Sequence, residues 1–155
     1  MELRSGLLIV IALLFTFFMT YTTTPLVRKL SIKVGAVDIP KDNRRMHSKP
    51  IPTMGGLAIF VAFAFGVIVF VPMDSTYVGL LLGALMITIM GMFDDIYDLK
   101  AWVKLLVQIG AALVVCFSGI VIKQVTLFDQ IIYFGNWAIP ITVLWICLLY
   151  TSRCV

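Results

Sequence analysis

Residues 77–92 hold no charged side chain, and three carboxylates follow at once: Asp94, Asp95 and Asp98. A long uncharged run that ends in a burst of acids leaves few folds open. As a helix it is just long enough to cross the roughly 30 Å hydrocarbon core of a bilayer. Further apolar runs lie near 7–27, 53–72, 103–122 and 137–150. In soluble domains about half the residues are apolar and about a quarter charged; this 155-residue chain has 61% and 13%. The expected fold is an all-α integral membrane protein, a polytopic helical bundle with about four full spans plus a partial fifth.

The first run follows Arg4, so a signal peptide is the alternative. The run outlasts a typical signal core and no small-x-small cleavage site follows, so a retained helix is expected, with Pro25 near its end as a kink or stop. Residues 28–52 are polar. They hold Arg28, Lys29, Lys33, Lys41, Arg44, Arg45 and Lys49, together with His47, against Asp38 and Asp42. Positive charge marks the cytoplasmic side, which puts the N-terminus outside. The third run, 77–93, returns the chain to that side, so the basic loop and the acidic triplet share one membrane face. Lys104 and Gln108 are i,i+4 on the fourth run and share a flank. Lys104 either reaches the triplet or snorkels to the headgroups. Residues 123–136 form an outer connection with the makings of a small hairpin. The fifth run is too short to cross comfortably.

The basic residues are concentrated in one loop, which is not a nucleic-acid signature. Cys116 and Cys147 sit in apolar runs and Cys154 lies at the end, with no CxxC or Cys/His spacing, so neither a zinc site nor a disulfide framework is expected. Gly55-Gly56 permits close helix packing or a helix start. In the triplet, Asp94 and Asp98 are i,i+4 and Asp95 and Asp98 are i,i+3, so all three can share one helix flank. Like charges so close repel, and a cation such as Mg²⁺, which takes carboxylate and phosphate oxygens, would relieve them. The plain alternative is a solvated helix end where the membrane stops.

Two motifs taken together carry a family resemblance. One is Asp38-Ile-Pro with Arg44-Arg-Met-His47-Ser-Lys49-Pro-Ile-Pro-Thr53-Met-Gly55-Gly56; the other is Gly91-Met-Phe-Asp94-Asp95-Ile-Tyr-Asp98-Leu99, followed by Lys104 and Gln108. Over roughly residues 5–146 the chain resembles the polyprenyl-phosphate N-acetylhexosamine-1-phosphate transferases of glycosyltransferase family 4. The His-Ser-Lys-Pro-Ile-Pro-Thr form is similar to the branch that starts wall teichoic acid.

The resemblance implies transfer of N-acetylglucosamine 1-phosphate from a UDP-sugar to undecaprenyl phosphate, releasing UMP, with Mg²⁺ as cofactor. It implies Asp94 and Asp95 as catalytic and metal-binding residues, and Lys49, Lys104, His47, Arg44, Asp98 and Thr53 as substrate-binding. The site would face the cytoplasm from a multi-pass plasma-membrane protein, partnered by the lipid bilayer and not by nucleic acid; a homodimer is compatible with it. The alternatives are a phospho-N-acetylmuramoyl-pentapeptide transferase and, in another class, a non-catalytic membrane module or transporter fragment. A transporter would bury its ionisable residues near the midplane, whereas these collect at the inner edge.

Family members have about ten spans, a downstream Asp-Gly-x-Asp-Gly metal motif and a later histidine-rich loop, none of which is present here. The family pattern breaks near Ile146, and residues 147–155 look like a non-native or misread tail. The expectation is an N-terminal half, inactive alone, whose partner is the missing C-terminal half.

Overall fold

A computed structural model describes residues 2–38, 51–127 and 130–151. The elements run α1 (Glu2–Val34), β1 (Val37–Asp38), β2 (Ile51–Pro52), α2 (Gly55–Phe70), α3 (Ser75–Tyr97), α4 (Ala101–Phe117), β3 (Gln124–Leu127), β4 (Gln130–Tyr133), a 3₁₀ turn at Gly135–Trp137 and α5 (Ala138–Thr151). They form two compact units, Met1–Pro72 with Thr88–Leu99, and Met73–Ile87 with Lys100–Val155.

The first unit pairs α1 with α2. Ala58, Ala62 and Gly66 recur every four residues on α2 and are all buried. That spacing puts them on one stripe, and small residues there let the backbones approach closely. The fit is tight: a Cβ at Gly66 would stand 2.6 Å from Thr16 Cγ2. Close packing therefore falls on this stripe. Gly55 and Gly56 open α2 and have nothing within 4 Å of a Cβ, so of their two expected roles they take the helix start. At the other end of the stripe Val27, Ala36, Met54 and Ala58 form a buried cluster, with Met92 and Ile96 of α3 packed against it.

The polar segment expected from residue 28 starts later than its charge suggests. Arg28, Lys29 and Lys33 lie on α1, which continues past Pro25 to Val34. Leu, Arg and Lys are good helix formers, and Pro25 deletes one backbone bond without ending the helix. The stop comes at Gly35, in the left-handed region at φ +81°, where the Ala36 N–H donates back to the Ser31 carbonyl at 3.0 Å. This is the six-to-one closure that a glycine after a helix makes inexpensive.

In the second unit the small residues are on α3. Gly79 and Gly83 face α4: a Cβ at Gly79 would fall 1.7 Å from Ser118 Oγ, and one at Gly83 2.5 Å from Val115 Cγ2. The fourth apolar run was expected to reach residue 122, but α4 ends at Phe117. Gly119 takes φ +100°, and the Ile120 and Gly119 N–H groups close on Val115 and Cys116 at 3.3 and 3.0 Å, a full glycine stop. The chain then forms the expected hairpin, β3 against β4 in antiparallel register with Gln124 opposite Tyr133. Thr142 ties α5 to the segment before the hairpin, accepting the Ile122 N–H at 2.9 Å while its hydroxyl donates to the Ala138 carbonyl at 2.7 Å.

Helices dominate, as expected, with two small antiparallel pairs added. Two helical stretches, Gly6–Val34 and Ser75–Tyr97, are long and apolar enough to cross a membrane. The shorter apolar helices are Gly55–Phe70, Ala101–Phe117 and Gly135–Leu148. Sixteen helical residues rise about 24 Å, so α2 is shorter than the roughly 30 Å hydrocarbon core.

Candidate functional site

The acidic end of α3 meets the anchored ends of the basic loop within the first unit. The loop leaves from β1 and returns on β2, which pair antiparallel, Val37 opposite Pro52 and Asp38 opposite Ile51. Beneath this ribbon lies the fully buried Ala36. Its carbonyl receives the Thr53 N–H at 3.2 Å, the Thr53 hydroxyl at 3.0 Å and the Ser31 hydroxyl. The Thr53 side chain also lies beside that of Asp95. Met92 and Ile96, on either side of the two acids, pack against the cluster that holds Ala36 and Met54 and so keep this end of α3 at the root of the loop.

Asp94 and Asp98 are engaged differently. Asp98 has left the helix and stands in the left-handed region at φ 48°, where Asp is one of the few non-glycine residues tolerated. The Asp98 N–H closes on the Asp94 carbonyl at 2.9 Å, and the Leu99 N–H is taken by Asp94 Oδ1 at 3.0 Å. Asp94 thus caps its own helix. Helical spacing was expected to line up all three acids, but the helix ends at Tyr97, before the third. Asp95 is exposed and Asp94 half-buried.

The acids stand at the disfavoured end of their helix. The C-terminus carries about half a negative charge, and each acid there costs about 0.3–1 kcal/mol. No basic residue occupies the last turn of α3 to offset it. A bound cation would relieve both the dipole and the Asp94–Asp95 repulsion. Mg²⁺ usually takes one or two protein carboxylates and completes its shell with water and phosphate. Asp94 and Asp95 meet that minimum, although Asp94 has committed one oxygen. Among the described residues no group of three His, Cys, Asp or Glu side chains could hold a metal ion.

Lys49, His47 and Arg44 lie outside the described residues. Lys104 lies in the first turn of α4, in the second unit, half-buried. One turn on, Gln108 is 3% exposed, and its Oε1 has no hydrogen-bond partner among the described residues.

A cavity of about 360 Å³ adjoins the Thr53 node, bounded by Thr24, Arg28 and Ser31 of α1 and by Pro52, Met54 and Gly55. Ser31 and Ala36 carry no functional signal in the sequence, lying in a stretch whose charge points to a loop. The signal that finds them is Gly35, which stops a helix and so places Ser31 in its last turn.

The model of glycosyl transferase family 4 matches residues 77–151. A Bacillus subtilis protein named "Probable undecaprenyl-phosphate N-acetylglucosaminyl 1-phosphate transferase" is 37% identical over 141 residues, 89% of this chain and 39% of that protein. The Mycolicibacterium smegmatis decaprenyl-phosphate N-acetylglucosaminephosphotransferase is 35% identical, over 65% of this chain and 27% of its own. The Salmonella typhimurium undecaprenyl-phosphate alpha-N-acetylglucosaminyl 1-phosphate transferase is 33% identical, over 72% and 29%. The chain spans less than half the length of these relatives, and no solved structure matches it significantly. By sequence, the chain belongs to glycosyl transferase family 4.

Proposed function

We propose that this chain is part of a membrane transferase that moves N-acetylglucosamine 1-phosphate from a UDP-sugar to undecaprenyl phosphate, in the synthesis of surface glycans of the wall-teichoic-acid type. An oxygen of the lipid phosphate attacks the phosphorus that bears the sugar. A new P–O bond forms as the bond from that phosphorus to the bridging oxygen of UMP breaks, and UMP leaves with the electron pair.

Both reactants are anions, so the site must hold like charges together and in line. A phosphate oxyanion is already a nucleophile and needs no strong base. Asp95, with Asp94, is therefore better suited to holding a cation than to taking a proton. Mg²⁺ bound there would supply neutralisation of the diphosphate. Lys49, Lys104, Arg44 and His47 are the cationic candidates for phosphate contact; Thr53 and Asp98 border the same helix end. The basic segment would face the cytoplasm, with the N-terminus outside a multi-pass plasma-membrane protein.

The observation that supports this reading is the packing of Met92 and Ile96, which flank Asp94 and Asp95 on α3, against the cluster that holds Ala36 and Met54, at the two ends of the basic loop. The test is a chimera in which residues 1–146 replace the matching part of the Bacillus subtilis relative, in membranes supplied with UDP-N-acetylglucosamine and undecaprenyl phosphate. The expected outcome is UMP release that falls more than a hundredfold, about 2.7 kcal/mol of barrier, on Asp95→Asn. Near-normal turnover in that variant removes Asp95 from the site, and a folded, membrane-inserted chimera with no release overturns the reading.

A further inference from the structure

The cavity between α1 and the start of α2 has no part in the reaction proposed above. Its walls come from the first unit alone. Thr24, Val27, Arg28 and Ser31 fall at i, i+3, i+4 and i+7, one stripe of α1. Pro52, Met54, Gly55 and Ala58 line the other side. Val27, Met54 and Ala58 belong to the buried cluster and make an apolar floor. Thr24, Arg28 and Gly55 are exposed and make the rim. Gly55 leaves the mouth open: a Cβ there would meet nothing within 4 Å.

The charge on this rim is uncompensated. No carboxylate among the described residues lines the cavity. The start of α2 has no side-chain cap and no acid in its first turn, so its dipole adds to the preference for an anion. The sequence of segment 39–50 offers Arg28 little relief, with Lys41, Arg44, Arg45 and Lys49 against Asp42. Depth points the same way. From Gly6 to Arg28 the helix rises about 33 Å, close to the roughly 30 Å of hydrocarbon, and Lys29 and Lys33 follow at the same end. A crossing α1 therefore presents Arg28 at headgroup level. Basic pockets between helices at that depth suit anionic lipid headgroups. At about 360 Å³ the cavity has room for a headgroup and not for a whole two-chain lipid.

We propose that this cavity binds the headgroup of an anionic bilayer phospholipid, with its phosphodiester on the Arg28 guanidinium and its chains running out along α1. The occupant is a resident lipid, not the lipid acceptor of the reaction. The site rests on α1 crossing the bilayer and is independent of the role given to Asp94 and Asp95.

The test uses the 155-residue chain purified in detergent and offered equal parts of phosphatidylglycerol and phosphatidylcholine of the same chain length. Native mass spectrometry reads which lipid stays bound. Phosphatidylglycerol should be retained in preference. Arg28→Gln should weaken its retention about tenfold or more, the loss of a charge-assisted contact. Lys33→Gln removes one charge from the same helix end but outside the cavity, and should weaken it less than about twofold, since exposed charges are screened. Gly55→Leu puts a side chain into the mouth; it should lose the adduct while melting no lower than the parent. Neither glycerol phosphate, an anion without chains, nor farnesyl phosphate, a short polyprenyl phosphate, should displace the lipid. Equal retention of phosphatidylcholine overturns the proposal, as do equal losses in Arg28→Gln and Lys33→Gln or a preserved adduct in folded Gly55→Leu. Displacement by glycerol phosphate would make the cavity a plain anion site, and displacement by farnesyl phosphate would give it to the acceptor; either also overturns it.

Discussion

The carboxylate of Asp94 accepts the backbone N–H of Leu99 at 3.0 Å and so ends its own helix. An acid that the family resemblance marks for chemistry thus also has an architectural task. Asparagine keeps an oxygen at the same place and discards the charge; alanine discards both. Asp94→Asn should leave thermal unfolding in detergent within about 0.5 kcal/mol of the parent, while Asp94→Ala should cost about 1–1.5 kcal/mol, the net worth of one part-buried hydrogen bond. Equal losses in the two variants would show that the cap contributes nothing.

Thr53 offers a similar separation. Thr53→Ser retains the hydroxyl and should retain turnover in the chimera within a few-fold. Thr53→Val retains the shape and should lose about tenfold, because it removes the hydroxyl that holds the Ala36 carbonyl beside Asp95, a hydrogen bond worth about 1 kcal/mol. Indistinguishable rates for the two would separate Asp95 from Thr53 in function.

The Gly66–Thr16 contact predicts a suppressor. Gly66→Ala puts a methyl 2.6 Å from Thr16 Cγ2, and overpacking of this kind costs about 1–3 kcal/mol. Thr16→Ser removes that carbon, so the pair Gly66→Ala/Thr16→Ser should recover most of the loss in a thermal melt. Gly56→Ala, with open space around it, should instead stabilise α2 by up to about 1 kcal/mol. A double variant no better than Gly66→Ala would place the strain elsewhere.

Asp98 carries a positive φ and a negative charge at the negative end of a helix. Asp98→Gly relieves both and should raise stability by about 1 kcal/mol. If Asp98 also contacts substrate, the chimera's KM will rise while its melting temperature rises too. An unchanged KM would leave Asp98 with a backbone role alone.

Metal removal tests the carboxylate pair as a unit. EDTA should abolish UMP release by the chimera, and added Mg²⁺ should restore it. Asp94→Asn should need a higher Mg²⁺ concentration for half-maximal rate. Full activity in EDTA would exclude a dissociable divalent cation.

Periodicity and charge made much of this legible in advance. The uncharged run before Asp94 became α3, and the two β-prone runs around residue 128 became β3 and β4. The described ends of the loop and the acidic end of α3 pack together around Ala36 and Met54. What misled was charge taken as a sign of loop. Arg28, Lys29 and Lys33 are polar, yet nothing in their chemistry stops a helix, and only Gly35 does. The carbonyl at Ala36 was invisible for a deeper reason. Backbone acceptors carry no letter in the sequence, so a node built on one appears only when donors from α1 and from the start of α2 are brought to it in space.

The glycine and alanine contacts have a last consequence, for how such a protein can drift. Leu8, Phe17, Ile59, Phe63 and Leu82 point outward, and any greasy neighbour in the genetic code would serve in their place. Ala58 and Ala62 are buried, and Gly66, Gly79 and Gly83 take no added carbon without a compensating change, since each would run into a facing side chain: Thr16, Ser118 or Val115. In a saturating library scored by membrane expression, the depleted columns would be the tiniest residues, and the bulkiest would be the ones most freely traded.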